Sequence, residues 1–230
     1  MKTIGMIGGM SWESSLEYYR LVNQKVKERL GGFHSAKCLM YSVDFHEIEQ
    51  FQALGEWQSA TQLMIEAARK IEKGGADFLI ICTNTMHKMA DAVKENTRIP
   101  LLHIADPTAD TVKSHGIIKI ALLGTRFTME QDFYKGKLIR DYGLEVILPA
   151  DTEMDVIHNV IYQELCLGEI NPASKTRYLE IVDNLIRKGA EGVILGCTEI
   201  GLLIKNGDSH VPFFDTTEIH AEAAVDYALS

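Results

Sequence analysis

Two small residues with reactive side chains, Thr83 and Cys197, occupy matching positions in a sequence that repeats itself. Residues 75–85 read GADFLIICTNT, and residues 189–199 read GAEGVILGCTE. Each segment is a buried-strand run that ends in small polar residues, and superposition without a gap places Thr83 on Cys197. A hydroxyl or a thiol at such a strand end can give or take a proton. The repeat therefore predicts that each half of the chain offers one such strand-end residue to a ligand.

A second pair of segments supports the repeat. Residues 4–9 (IGMIGG) match residues 120–125 (IALLGT), and the two matches are spaced by 116 and 114 residues. Two similar halves can face each other across one cleft, where each offers a strand-end residue to one side of a ligand.

The composition narrows the class of protein. The 230 residues are 46% hydrophobic and 24% charged, as in globular proteins, and the net charge of −9 argues against a nucleic-acid partner. The four cysteines are scattered and form no CxxC pair, which favours a reducing cytoplasm over a disulfide scaffold or a zinc site. No apolar stretch reaches the 18 residues of a membrane span, so we expect no membrane partner.

Strand-like and helix-like segments alternate along the chain, which predicts βαβ units with parallel sheets. The predicted strands are 2–7, 37–43, 77–82, 100–104, 117–123, 144–148, 192–196 and 211–214. The predicted helices are 13–29, 57–73, 85–95, 107–115, 128–142, 153–167, 173–188, 199–205 and 216–229. We expect an α/β protein of two pseudo-symmetric domains, each a roughly four-stranded parallel sheet flanked by helices. The predicted domains are 1–103 plus 208–230, and 104–207.

Ligands of open α/β sheets bind at the carboxyl ends of the strands, where this chain carries several polar residues. Cys197 precedes a predicted helix, whose N-terminus is expected to lower the thiol pKa below its ordinary value of about 8.5. Thr125 and Thr128 can point hydroxyls at a carboxylate, and Ser11 can cap the first helix. The turn after the first strand is not a GxGxxG nucleotide fingerprint, and neither metal-ligand spacing nor a GxSxG elbow is present.

These residues resemble the aspartate/glutamate racemase family of cofactor-independent amino-acid racemases. The resemblance covers nearly the whole chain and rests on four motifs: Gly8-Gly9-Met10-Ser11, Cys82-Thr83-Asn84-Thr85-Met86-His87, Leu123-Gly124-Thr125 and Gly196-Cys197-Thr198-Glu199. It implies two α/β domains with one active site in the cleft between them, an isomerase that makes D-amino acids, no cofactor and no metal, and a homodimer. It also implies ligand contacts at Met10, Asn84, Thr85, Thr125, Thr128 and Thr198.

The family's first catalytic cysteine is replaced in this chain. The family pattern Cys-Asn-Thr reads Thr83-Asn84-Thr85, whereas the second cysteine matches Cys197. Cys82 is adjacent, but successive strand residues point to opposite faces, so Cys82 is expected in the sheet packing. We therefore expect Cys197 to abstract the Cα proton and Thr83 to return one, directly or through water.

The substrate is expected to be aspartate, glutamate or both. Its ammonium needs an acid, and Glu164 or Glu199 can serve. Its side-chain carboxylate needs donors, which Gln52, His46 or Arg126 can supply. The segment 44–52 is predicted to be a specificity loop.

Two other functions remain open. A single cleft cysteine also suffices for a decarboxylase or isomerase of the same fold, as in the related arylmalonate decarboxylases. Two lobes around a ligand also describe a non-catalytic amino-acid binding protein, which would bind without exchanging the Cα proton.

Overall fold

The computed structural model describes all residues, Met1–Ser230. Its strands are β1 (Ile4–Gly8), β2 (Cys38–Ser42), β3 (Phe78–Ile81), β4 (Lys119–Gly124), β5 (Glu145–Ile147), β6 (Val193–Gly196) and β7 (Phe213–Asp215). Its α-helices are α1 (Trp12–Leu30), α2 (Phe45–Leu54), α3 (Trp57–Lys73), α4 (Ala90–Glu95), α5 (Ala105–Ser114), α6 (Arg126–Glu130), α7 (Lys137–Tyr142), α8 (Asp151–Gln163), α9 (Pro172–Arg187), α10 (Ile200–Leu203) and α11 (Thr216–Leu229). None of the helices is both long and apolar enough to cross a membrane.

The chain divides into two compact units, which are residues 1–104 with 220–230 and residues 105–219. The chain passes from the first unit to the second after Ile104 and returns after Ile219, within α11. The sequence placed residues 208–219 in the first domain. The structure places them in the second unit because β7 pairs with β6, with Val193 beside Phe213.

The first unit contains a parallel sheet in the order β2-β1-β3. Both faces of β1 and β3 are buried, as their continuous apolar runs predict. One face packs on α1 and α11, and the other packs on α3 and the segment that follows β3. The carboxyl ends of β1 and β3 are therefore held by apolar packing on both sides.

The second unit contains a parallel sheet in the order β5-β4-β6-β7. Helices α6, α8 and α9 pack against its central strand β4. The order β5-β4-β6 repeats the order β2-β1-β3 of the first unit. The predicted fold class, an α/β protein with parallel sheets covered by helices, is confirmed.

The strand register reproduces the repeat seen in the sequence. Gly5 pairs with Leu79 in the first sheet, and Ala121 pairs with Val193 in the second. These pairs are related by the same spacings, 116 and 114 residues, that align the sequence segments. The residues that follow β3 and β6 therefore hold equivalent places in the two sheets.

The amino-terminal edges of the two sheets are also alike. Asp77, just before β3, accepts a hydrogen bond from the backbone N–H of Thr3, with Oδ2 at 2.6 Å. Glu191, just before β6, accepts from the N–H groups of Ile118 and Lys119 at 3.1 and 3.0 Å. We call each of these arrangements a carboxylate clasp, because one acid joins the starts of two neighbouring strands.

The predicted strand 100–104 is wrong. Leu101 forms a single bridge beside Leu79, with Leu79 N–H donating to Pro100 and Leu102 N–H donating to Leu79. The pairing ends there because the chain turns into α5 at Ala105. The first sheet consequently has three strands rather than four.

The predicted specificity loop 44–52 is also wrong, because α2 occupies this segment. The Asp44 carboxylate accepts from the N–H of His46 at 3.0 Å and caps the helix, and Gly55 ends it in a left-handed conformation. Ile48 and Gln52, one turn apart, are its buried residues.

The predicted helix 128–142 is divided, because extended backbone at Gln131 separates α6 from a π-helical turn that leads into α7.

Candidate active site

In the first unit, the predicted residues Thr83, Asn84 and Thr85 come one residue after the end of β3 and are all buried. Cys82 points into the apolar layer under α1 and α11, where it packs with Ile80 and its neighbours. Burial raises the pKa of the Cys82 thiol far above its ordinary value. Cys82 is thus a core residue, as strand alternation predicts, and Thr83 is the first polar side chain beyond it.

Two further predicted residues of the first unit lie near this strand end. Met10 packs in the same apolar cluster as Met86, which follows Thr85 in a 3₁₀ turn. Gln52 on α2 is buried, and its Nε2 lies 3.3 Å from the Met86 sulfur. The structure therefore brings Gln52 to the turn Thr85–Met89 and places Met10 in the apolar cluster that contains Met86.

In the second unit, Cys197 follows β6 directly and is 8% exposed. Its thiol donates a hydrogen bond to Glu199 Oε2 across 2.9 Å. The hydroxyl of the predicted residue Thr198 donates to the same oxygen across 2.8 Å. Glu199 is itself buried, so the thiol and the carboxylate form a pair that is shielded from water.

This environment raises the pKa of Cys197 well above its ordinary value, so the expected lowering is wrong. Burial is the main cause, because it penalises the charged thiolate, and the negative charge of Glu199 adds to it. The helix that was expected to stabilise a thiolate, α10, has only four residues. The environment therefore favours the neutral thiol of Cys197, with Glu199 as its hydrogen-bond acceptor.

Thr125 and Thr128 lie beside the Cys197 strand end, because β4 and β6 pair with Gly124 beside Gly196. Thr125 caps α6, and its hydroxyl accepts from the N–H of Thr128 at 3.3 Å. The two hydroxyl oxygens are 3.2 Å apart. Both predicted threonines therefore lie at the strand end beside that of Cys197, and Thr125 caps the helix rather than Thr128, which the sequence offered as a possible cap.

The remaining predicted residue, Glu164, is half-buried where α8 ends, and it accepts from the hydroxyl of Ser174 at 2.7 Å. Burial raises the pKa of Tyr178, and the negative charge of Glu164 adds to this effect. Glu164 thus belongs to the electrostatic surroundings of Tyr178 on α9.

Other expectations about charged residues are changed by the structure. Glu199, considered as a partner for the substrate ammonium, is engaged by the thiol. Arg126, considered as a donor to the substrate, forms ion pairs with Glu130, Asp151 and Asp155. His46 lies in a hydrogen bond with Gln50. The thiol–carboxylate pair was not predicted from the sequence, although the Cys-x-Glu spacing of Cys197 and Glu199 was visible there.

The chain is similar to several known proteins. A crystal structure of a candidate Asp/Glu racemase from Yersinia pestis has a TM-score of 0.92 and 55% identity, with both chains fully covered. An aspartate racemase homologue from Pyrococcus horikoshii OT3 has a TM-score of 0.86 and 35% identity, also over both full chains. The broad specificity amino-acid racemase RacX of Bacillus subtilis is 26% identical over 168 residues, which are 73% of this chain and 71% of that protein. Residues 7–224 match the Asp/Glu/Hydantoin racemase family, so the resemblance is confirmed and the chain belongs to this family.

Proposed function

We propose that this protein racemises an acidic amino acid, aspartate or glutamate or both, without a cofactor. Thr83 from the first unit and Cys197 from the second act on opposite faces of the substrate Cα. The observation that carries the proposal is the equivalent placement of a hydroxyl and a thiol after β3 and β6, in sheets of the same register. Membership of a racemase family supports it.

The reaction explains why two groups are needed. Racemisation removes the Cα proton from one face and returns a proton to the other, through a planar intermediate whose charge spreads onto the carboxylate. Hydroxyl, amide and backbone donors can stabilise that charge, and losing one such donor costs about 3–4 kcal/mol. We assign this role to Asn84 and Thr85 in the first unit and to Thr125 and Thr198 in the second.

Cys197 is the group that abstracts the proton. Its S–H proton moves to Glu199, to which the thiol already donates, and the resulting thiolate takes the Cα proton. After the transfer, Cys197 is again a thiol, and the proton on Glu199 leaves to solvent. The buried pair supports this order, because burial disfavours a standing thiolate and the thiol already donates to Glu199.

Thr83 is the group that completes the inversion. Its hydroxyl donates to the carbanion on the second face, and water replaces the donated proton, so that no free alkoxide accumulates. An alcohol is a far weaker base than a thiolate, so the two directions are expected to differ in kcat. The ratios kcat/KM must still be equal, because enantiomers have equal free energies.

The remaining residues are assigned to binding. We propose that Glu164 holds the substrate ammonium, that Gln52 donates to the side-chain carboxylate, and that Met10 and Thr128 complete the walls of the substrate site.

The protein is proposed to act in the cytoplasm, where its four free cysteines stay reduced, and as a homodimer. Light scattering on the purified protein tests the dimer, and a monomer at working concentration would exclude it.

Proton NMR in D₂O tests the function. The protein is incubated separately with the L and D forms of aspartate and glutamate, and loss of the Cα–H signal is followed together with chiral chromatography. We expect exchange and inversion for at least one of the two amino acids, unchanged by prior dialysis against EDTA. Tight binding of these amino acids without Cα exchange would instead identify a binding protein.

A second function, decarboxylation, is favoured by one observation. A racemase with two equivalent bases would have a thiol at position 83, but this chain has the hydroxyl of Thr83. A single cysteine suffices to protonate one face after loss of CO₂. Incubation with substituted malonates, with CO₂ release as the readout, separates the two functions. Decarboxylation without any Cα exchange of amino acids would replace racemisation as the function.

A further inference from the structure

His87 is a buried histidine whose two ring nitrogens both contact backbone atoms. It lies four residues after Thr83, in the 3₁₀ turn that follows β3. Its Nδ1 is 2.8 Å from the carbonyl oxygen of Thr83, and its Nε2 is 3.2 Å from the backbone nitrogen of Ile104. The ring therefore connects the residue assigned to proton transfer with the last residue before the chain enters the second unit.

The two backbone partners fix the tautomer of His87. A backbone N–H can only donate, so Nε2 accepts from Ile104 and carries no proton. The Nδ1 atom then carries the hydrogen and donates it to the carbonyl of Thr83, which can only accept. The imidazole is thus a neutral ring with one donor and one acceptor, both used by the backbone.

The surroundings of the ring keep it neutral and in place. Burial lowers the pKa of His87 well below its ordinary value, and the nearby His103 and His220 add to the effect. The ring centroids of His103 and His220 lie 4.6 and 5.7 Å from that of His87. His220 is also fixed, because its Nε2 donates to the carbonyl of Leu102 at 3.1 Å and its Nδ1 accepts from Tyr18.

The backbone of Thr83 is fixed by a side-chain hydrogen bond rather than by strand pairing. The regular pairing with β1 ends where the Cys82 N–H donates to Ile7. Beyond that point the hydroxyl of Ser14 donates to the carbonyl of Cys82, and His87 donates to the carbonyl of Thr83. Holding that carbonyl fixes the plane of the Thr83–Asn84 peptide and so the direction in which the Thr83 side chain leaves the backbone.

We propose that His87 is a positioning residue, whose Nδ1–H orients Thr83 for protonation of the substrate. This inference rests on the proposed function, and His87 itself exchanges no proton with the substrate. A misplacement of about 1 Å in a reacting group can cost about 100-fold in rate, so a second residue that fixes Thr83 has a measurable role.

Two substitutions separate the functions of the two ring nitrogens. In His87→Asn the amide lies near the Nδ1 position and can still donate to Thr83. In His87→Gln the amide reaches the Nε2 position and serves Ile104 but not Thr83. We expect His87→Asn to keep kcat within about threefold and His87→Gln to lower kcat about 10- to 100-fold, with KM little changed.

The decisive readout is the ratio of two processes in D₂O. When the proton held by Cys197 is exchanged for deuterium and returned to the same face, the substrate is labelled with retention. When Thr83 protonates the other face, the product is inverted. His87→Gln should raise the ratio of retention to inversion several-fold, whereas a variant that only lowers the amount of folded enzyme leaves the ratio unchanged.

Further controls distinguish this inference from the function on which it rests. Thr83→Val should raise the same ratio, and the double variant with His87→Gln should be no worse than Thr83→Val alone. If Thr83→Val leaves the ratio unchanged, the proposed function fails. If Thr83→Val raises it but His87→Gln does not, only the role of His87 is overturned.

A measurement on the wild-type protein covers the case in which His87→Gln does not fold. Nitrogen-15 NMR of the imidazole distinguishes the two neutral tautomers. We expect the Nδ1–H form at pH 7, with a ring signal that shifts in Thr83→Val. An Nε2–H tautomer or a charged ring would overturn the proposal.

Discussion

The ends of β3 and β6 have the same place in their sheets, yet their residues are held in opposite ways. Thr83 is fixed through its backbone by His87, whereas Cys197 is bonded through its side chain to Glu199. In the gap-free alignment, Thr85 occupies the position that Glu199 has in the second unit. Sheet register therefore sets where Thr83 and Cys197 lie, and under the proposed function the neighbouring side chains decide which of them can become a base.

The largest expected effects come from removing the two reactive groups. Cys197→Ser and Thr83→Val should each lower racemisation about 10²- to 10⁴-fold, because each removes a proton-transfer group. They should differ in Cα–H exchange followed by NMR in D₂O, since only Thr83→Val keeps exchange with retention on the Cys197 face.

Cys38→Ser is the matched thiol control for this pair, because Cys38 begins β2 at the amino-terminal edge of its sheet. It should keep wild-type activity. Full-rate exchange in Cys197→Ser would refute the assignment of the abstracting group.

Glu199→Gln should have the next largest effect and should expose the raised pKa of Cys197. In the wild type the proton moves within the pair, so kcat is expected to change little around neutral pH. In the variant the thiolate must form by loss of a proton to solvent, and burial still raises the thiol pKa. The rate should then rise about tenfold per pH unit, because the thiolate fraction does so below the pKa.

The measurement is kcat for each enantiomer from pH 6 to pH 9. Similar pH profiles for the variant and the wild type would show that Glu199 does not accept the thiol proton.

Thr83→Cys makes the two strand ends more alike and should have a smaller effect. A thiol is a better acid and a better base than an alcohol, so we expect kcat in the two directions to become more similar. Thr83→Ser is the control, because it keeps the hydroxyl and should leave the difference in place. Initial rates from each pure enantiomer test this, and an unchanged difference in Thr83→Cys would assign the asymmetry to another residue.

Gly196 and Cys82 come just before Cys197 and Thr83. Replacing each of them by alanine compares how much unfolding free energy the protein loses at the two positions. A Cβ at Gly196 would lie 2.7 Å from the carbonyl oxygen of Leu123, so the variant should lose about 1–3 kcal/mol of unfolding free energy through overpacking. It should also lose activity, because β6 must move. Cys82→Ala only leaves a small cavity, with a loss of about 1 kcal/mol. Urea unfolding measures both, and equal losses would contradict the comparison.

The smallest expected effect is that of Glu191→Gln in the second carboxylate clasp. Its backbone partners lower the pKa of Glu191, so its contribution to stability is present above the pKa of the unfolded chain and lost as pH falls through the folded value. The variant should melt slightly below the wild type at pH 7, and this difference should shrink towards pH 3. Thermal unfolding across that range checks it, and a difference that grows in acid would have the wrong sign.

Much of the fold was predictable because the central strands are continuous apolar runs. The ends of β3 and β6, and therefore Thr83 and Cys197, followed from these runs and from the repeat. Helix α2 was missed, although Asp44 as a cap and Gly55 as a terminator were visible in the sequence. The strand at 100–104 was predicted from its apolar residues alone, but strand formation also needs a partner over several residues.

The electrostatics of the site were not predictable in the same way. The pKa of Cys197 depends on how deeply the thiol is buried and on which side Glu199 turns, and both are set by packing between distant segments. The role proposed for His87 likewise depends on Ile104, which lies 17 residues away and donates to the ring. Spacing along the chain identifies such residues but does not reveal their partners.

The carboxylate clasps lie at the rim of each sheet opposite the reactive residues. We therefore expect substitutions at that rim to alter stability with little effect on turnover. Strengthening the clasp at Asp77 or Glu191 is accordingly a route to a protein that resists unfolding better and keeps its ratio of inversion to retention.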